Sequence, residues 1–137
     1  MSEKICFIDA DVFVHGLLES DTIKHKASRK LLEQIEQGYI FCITDYLVLT
    51  ETFYILENYR GRETAVEMIK KIMSLYNLEI LSLDGFTFFE GLKRAEKYNL
   101  KINDMMHYTL ALLKNAAGIY SYDMDFNGLE VKRIEPD

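Results

Sequence analysis

Ile5-Cys6-Phe7-Ile8-Asp9-Ala10-Asp11 is the stretch on which the reading of this chain turns. Residues 5–8 form a continuous apolar run, the pattern of a central strand in a parallel sheet, where both faces are buried. The run stops at two carboxylates separated by one small residue. A buried strand that delivers acids at its carboxyl end is a feature of open α/β sheets, which bind ligands outside the carboxyl ends of their strands, near the point where strand order reverses.

Working outward, apolar runs and helical periods alternate to the end of the chain, which predicts parallel βαβ units with helices on both faces of the sheet. Asp21 is placed to cap a helix reaching about Gln37, with Gly38 ending it in a left-handed conformation. A strand is expected over residues 39–43. Thr44 then offers a cap for a helix to about Tyr59, and residues 63–75 read as another helix after Gly61. Residues 78–83 read as the third strand. Asp84 caps a helix to about Tyr98, Asn103 opens one to about Ala116, and Gly118 leads into a fourth strand ending at Tyr122. Residues 131–134 form a short last strand. No linker or repeat divides the 137 residues, so one domain over residues 1–137 is expected.

Composition narrows the class. With 49% hydrophobic and 28% charged residues the chain has the make-up of a soluble globular protein, and no apolar run is long enough for a membrane span. The N-terminal residues MSEKICFIDAD lack the apolar stretch and small-residue cleavage site of a secretory leader, so a cytoplasmic location is expected. Cys6 and Cys42 both sit in apolar runs and read as buried free thiols, neither a disulfide framework nor a zinc set. The net charge of −6 runs against nucleic-acid binding, which rests on Lys and Arg, unless acids massed around a cation account for part of it. Lys24, Lys26, Arg29 and Lys30, and Lys93, Arg94, Lys97 and Lys101, are the two basic groups available for phosphates; each also reads as a solvated helix face.

Four acids stand out. Asp9 and Asp123 fall at strand ends, where an aspartate can equally cap the next helix or open a turn. Glu51 lies at helical spacing on the apolar stripe of Leu47, Val48 and Ile55. An inward glutamate needs a partner, because a buried carboxylate without a counter-charge or metal is costly. Asp104 begins a largely apolar helix, where it can also complement the helix dipole. Were the four to converge, their repulsion would raise their pKa values unless a cation neutralised it. An all-oxygen donor set favours Mg²⁺ or Mn²⁺ over zinc, and the matching chemistry is metal-assisted phosphodiester hydrolysis. Spacing alone leaves open whether Asp104 reaches the same edge as Asp9. His107, three residues beyond Asp104 on the same side of the helix, reads as a satisfied core histidine before a metal ligand; His15 and His25 read as structural and surface residues.

The motifs resemble those of PIN domains. FIDADVFVHGLL (7–18) resembles their opening, a strand ending in aspartate followed by a small and a polar residue. TDYLVLTETFYIL (44–56) resembles the second motif and contributes Glu51, and INDMMHYTLALLKNAAGIYSYDMDF (102–126) resembles the third and fourth, contributing Asp104 and Asp123. The resemblance implies a three-layer α/β/α fold with parallel strands in the order 3-2-1-4-5. It also implies Mg²⁺ or Mn²⁺ held by Asp9, Glu51, Asp104 and Asp123, and endonucleolytic cleavage of RNA. Small stand-alone members of this kind are often VapC-type toxins, restrained by an antitoxin protein and commonly homodimeric. Asp11 occupies a position that is often asparagine, and is expected to act as an accessory group, as are Ser121 and Asp125. Two other readings compete. One is a PIN-like module that binds RNA or protein without catalysis, against which the presence of all four acids speaks. The other is a haloacid-dehalogenase-type phosphatase using Asp9 as nucleophile, which Asp9-Ala10-Asp11 resembles, but Phe13 stands where that family has threonine.

Overall fold

The structure is a computed structural model that describes residues 4–137; the part of the leader reading that concerns residues 1–3 lies outside them. Its elements, in chain order, are β1 (Cys6–Ile8), α1 (Ala10–Leu17), α2 (Thr22–Glu36), β2 (Cys42–Asp45), α3 (Tyr46–Arg60), α4 (Arg62–Met73), β3 (Leu78–Leu81), α5 (Gly85–Ala95), α6 (Ile102–Leu113), β4 (Gly118–Tyr120) and β5 (Lys132–Ile134). The sheet has the expected order β3-β2-β1-β4-β5, and every pairing is parallel, with Phe7 opposite both Ile43 and Ile119. Right-handed crossovers put α1 to α4 on one face and α5 and α6 on the other, giving three layers. Strand order reverses between β1 and β4, so the switch-point crevice opens beside Asp9 and Ser121.

The core is assembled from the runs that the sequence marks. Phe7, Ile8, Ile43 and Ile119 are fully or almost fully buried in the sheet, with Phe13, Ile35, Val48, Ile72, Met105, Tyr108 and Phe126 packed over them. Among the described residues no helix is long and apolar enough to cross a membrane. Cys6 and Cys42 are free and face each other in register on β1 and β2. Burial pushes the Cys42 thiol up to about 12, so it acts as a small hydrophobe.

Several boundaries differ from the expected ones, each for a local reason. The second strand begins at Cys42, not at Tyr39, because residues 38–39 still belong to the end of α2. Gly38, at φ +82°, donates its N–H to Ile35 O (3.1 Å) and Tyr39 donates to Gln34 O (2.9 Å), a Schellman closure that only a residue free to adopt positive φ permits cheaply. The cap of α3 is Asp45, not Thr44: Asp45 Oδ1 accepts from Val48 N at 2.7 Å. The Thr44 hydroxyl instead donates to Ile8 O (2.8 Å), tying β2 to β1. Asn103 lies within the first turn of α6, which starts one residue earlier without a side-chain cap. Helix α1 is the one element periodicity does not announce. It is short, carries two valines and Gly16, and has only Asp11 and His15 as polar residues beside the buried Ala10, Val12, Phe13 and Gly16, too few to announce a helix.

Candidate active site

Asp9 ends β1 and caps α1 at once. Its Oδ1 accepts from Ala10 N (2.8 Å) and its Oδ2 from the Ser121 hydroxyl (2.8 Å), and only 5% of the residue is exposed. The cap reading and the site reading of Asp9 do not exclude one another: the carboxylate that caps α1 also comes within 4.8 Å of donor atoms of Glu51 and His107. Ser121 follows β4 directly, and its Oγ also accepts from Asp123 N (3.0 Å), so this buried hydroxyl fixes Asp9 against the start of the Asp123 turn. Asp123 in turn accepts from Asp125 N (2.9 Å), opening a 3-10 turn over Met124–Phe126.

The edge at which Asp104 lies is settled by connectivity. Helix α6 reaches β4 through residues 114–117 alone, so it must run antiparallel to the sheet strands and begin at their carboxyl ends. Glu51, Asp104 and Asp123 accordingly line one open cleft together with Lys101, Ile102 and Asn103. Donor atoms of Asp104, Asp123 and Asp125 lie within 4.8 Å of one another, and so do donor atoms of Asp9, Glu51 and His107. Glu51 joins the two groups, touching the Asp9 side while lining the Asp104 side.

Asp11 shares the Ser121 hydroxyl with Asp9. Its carboxylate accepts from Tyr122 N (3.1 and 3.2 Å) and lies 3.4 Å from Ser121 Oγ, so it clamps the chain leaving β4, close enough to feel the charges of Asp9 and Asp123. Asp125 is exposed and belongs to the Asp104 group, beside Asp123.

His107 is the satisfied core histidine that its sequence reading expects, held by partners the sequence does not name. Its ring is fully buried and stands between two carboxylates: Nδ1 is 2.7 Å from Asp45 Oδ2 and Nε2 is 2.9 Å from Glu51 Oε1. Glu51 thus has the partner its inward position demands, and that partner is a histidine 56 residues away. Its side chain is 29% exposed, at the margin of the core and open to the cleft. Asp45, 1% exposed, is a site-forming acid that sequence reasoning missed.

Electrostatics record the crowding. Burial raises the pKa of Asp9, against the pull of the nearby His107 charge and the Ser121 hydrogen bond. Burial and the charge of Asp9 push Asp11 up to about 7. Burial, again with the charge of Asp9 and with Asp123 and Glu51 adding to it, pushes Asp104 up to about 6. For His107 burial acts to lower the pKa, but hydrogen bonds to Asp45 and Glu51, reinforced by their charges, push it up to about 10.

All three values imply the same sign for stability. Each group keeps its proton to higher pH in the folded chain than its ordinary value of 3.8 or 6.5 allows in the unfolded one, so the folded state binds more protons. Stability falls as pH rises, from about 4 to about 7 through Asp11 and Asp104, and from 6.5 to about 10 through His107. Thermal melting of chelator-treated protein is expected to show a lower midpoint at pH 8.5 than at pH 5.5. At roughly 3–5 °C per kcal/mol for a domain of this size the difference is readable. Equal midpoints would mean that Asp11, Asp104 and His107 do not hold their protons above their ordinary range in the folded chain.

The donor set fits a hard divalent cation. Carboxylate oxygens dominate it, neither thiol is near, and both ring nitrogens of His107 are engaged by carboxylates; a cation would offset both the burial and the mutual repulsion that raise Asp11 and Asp104.

Comparisons with known proteins agree with this architecture. The family model described as PIN domain matches residues 6–132. Among solved structures, the chain is similar to the Mycobacterium tuberculosis toxin VapC20, described as cleaving the sarcin-ricin loop, with a TM-score of 0.77 and 17% identity over 96% of this chain and 99% of that one. It is also similar to VapBC2 of Rickettsia felis, solved bound to a fragment of its promoter DNA, with a TM-score of 0.72 and 16% identity over 97% of this chain and 99% of that one. A toxin–antitoxin complex from Klebsiella pneumoniae gives a TM-score of 0.68 and 14% identity over 96% and 98%. At these identities the likeness is one of fold. No curated protein matches the chain by sequence.

Proposed function

The chain belongs to the PIN-domain family, and from that we propose that it is a divalent-metal-dependent endoribonuclease acting as the toxin of a toxin–antitoxin pair. The observation that carries the reading is the convergence of Glu51, Asp104 and Asp123 on one open cleft at the switch point of the sheet, with Asp9 beside Glu51. Mg²⁺ or Mn²⁺ held there would acidify a water and neutralise charge on the attacked phosphate and leaving oxygen.

The protein's own part is to place the ligands. Asp9 is held on both oxygens by Ala10 N and Ser121, and Asp11 pins the backbone at Tyr122, so the turn bearing Asp123 keeps its distance from Asp9. Lys101, exposed at the lip of the same cleft, offers a phosphate contact in an otherwise acidic setting. Of the two basic groups, Lys101 is the member that lines this cleft, while Lys93 and Arg94 pair with Glu90 and Arg29 with Glu33. Support for a protein partner comes from α5, where Phe86, Phe89 and Leu92 are exposed together. Two of the similar structures are described as a toxin–antitoxin complex and as VapBC2 bound to a DNA fragment from its promoter, which agrees with a life in such a complex. A homodimer in the cytoplasm belongs to the same reading.

The test is incubation of the purified chain with a defined single-stranded RNA, the same sequence as DNA, and a small phosphate monoester. Internal cleavage of the RNA that requires Mg²⁺ or Mn²⁺ and stops with chelator is expected. Turnover of the monoester alone would favour the phosphatase reading, and binding without cleavage the non-catalytic module.

Asp104→Asn supplies a second check. Removing one of the mutually repelling carboxylates should stabilise chelator-treated protein by about 0.5–1 kcal/mol, a figure kept small because the side chain is only half-buried. It should also remove most of the rise in melting temperature that Mg²⁺ gives the unsubstituted chain. A variant destabilised without the ion, or still fully responsive to it, would place Asp104 outside the site.

A further inference from the structure

Glu51 reaches the cleft from the margin of the core on a side chain with three rotatable bonds, and a side chain of that kind gains definition only from what holds it. What holds it is a chain of buried contacts that begins in the backbone. Asp45 sits at the end of β2, fixed by its bond from Val48 N (2.7 Å) at the head of α3, the helix that also bears Glu51. The other Asp45 oxygen faces His107 Nδ1 at 2.7 Å, and His107 Nε2 faces Glu51 Oε1 at 2.9 Å. The ring itself cannot drift: it is fully buried and packs against Phe7 with ring centroids 5.7 Å apart.

Ionised carboxylates only accept hydrogen bonds, so a ring placed between two of them donates from both nitrogens. That has two consequences. The ring keeps no lone pair for a cation, although donor atoms of Asp9, Glu51 and His107 come within 4.8 Å of one another. And Glu51 Oε1 is committed to the protein, which leaves Oε2 as the oxygen Glu51 has free for the cleft it lines with Asp104 and Asp123.

We propose that His107 is a positioning residue which, anchored on Asp45, holds Glu51 so that it presents one fixed oxygen to the divalent cation of this site. The proposal rests on the reading of the four acids as cation ligands. Helix α6 then serves the site twice, through Asp104 on its first turn and through His107 one turn on, on the same side.

Two substitutions separate positioning from packing. In His107→Gln the terminal amide falls near the position of Nε2 and retains a donor for Glu51; in His107→Asn it falls near Nδ1 and retains a donor for Asp45 only. Both variants lose one bond of the pair and the ring, so a purely structural role makes them alike. Calorimetric titration with Mn²⁺ alone, alongside thermal melts, reads the difference. His107→Asn should bind Mn²⁺ roughly 10–100-fold more weakly than the unsubstituted chain, and His107→Gln within about threefold of it. Equal affinities in the two variants, or losses that merely follow their melting temperatures, overturn the proposal. Failure of the unsubstituted chain to bind Mn²⁺ would overturn the cation reading with it. Nuclear magnetic resonance of the ring nitrogens in the unsubstituted chain decides the matter if either variant does not fold. The His107 Nε2 proton should persist at saturating Mg²⁺, and its loss would make the ring a ligand and contradict the proposal.

Discussion

Asp9→Asn is expected to lower metal-dependent RNA cleavage by roughly a thousandfold or more while leaving the fold in place. The magnitude follows from the several kcal/mol that a well-held cation contributes to a charged transition state, at about 1.4 kcal/mol per tenfold in rate. The second half of the expectation follows from the surroundings of Asp9. Asn retains an oxygen for the Ala10 N–H, and its amide can donate to Ser121 Oγ, which has a lone pair to spare beside the one facing Asp123 N. Burial already penalises the ionised form of Asp9, so a neutral side chain of the same shape is tolerated. Cleavage rates measured beside a thermal melt check both parts. Full activity in a folded Asp9→Asn protein would remove Asp9 from the site.

The largest effect on stability is expected at Asp45. Asp45→Ala deletes the cap of α3, a loss of about 1 kcal/mol, and leaves the buried His107 without its Nδ1 partner. Removing one member of a buried charge pair costs about 3–5 kcal/mol. Together these approach the whole stability of a small domain, typically about 5–15 kcal/mol. Asp45→Asn is the milder companion. It keeps the acceptor for Val48 N, and its amide can donate to a neutral Nδ1 while Nε2–H still reaches Glu51, so a loss of about 1–2 kcal/mol is expected. Denaturant unfolding of the two variants gives the comparison. If Asp45→Ala lay within about 1 kcal/mol of the unsubstituted chain, the contact between Asp45 and His107 would be incidental.

Asp45 also shows where reading from sequence stops. The strand at Ile5 to Ile8, its acidic end and the alternation of elements were legible because burial on both faces leaves an unbroken apolar run, and because Asp21 and Asp84 announce their helices as caps. The strand order came through resemblance, since period and punctuation say nothing about which strands pair. Glu51 was legible as an inward charge that needs a partner. The identity of the partner was not, because His107 and Asp45 are 62 residues apart and no local pattern joins them. Thr44 and Asp45 are both good caps, and the choice between them depended on a bond to Ile8 that only the folded sheet provides. The convergence of Asp104 with Asp9 likewise needed the direction of α6, which follows from its short link to β4 once that strand is known to be parallel.

The most direct test of the cation site is a crystal structure of the chain soaked in Mn²⁺, read by anomalous scattering. The arrangement of side chains predicts density in the cleft between Glu51, Asp104 and Asp123, on the side facing Asp9, with His107 still bridging Asp45 and Glu51. Density elsewhere on the molecule, or none in this cleft at saturating Mn²⁺, would contradict it.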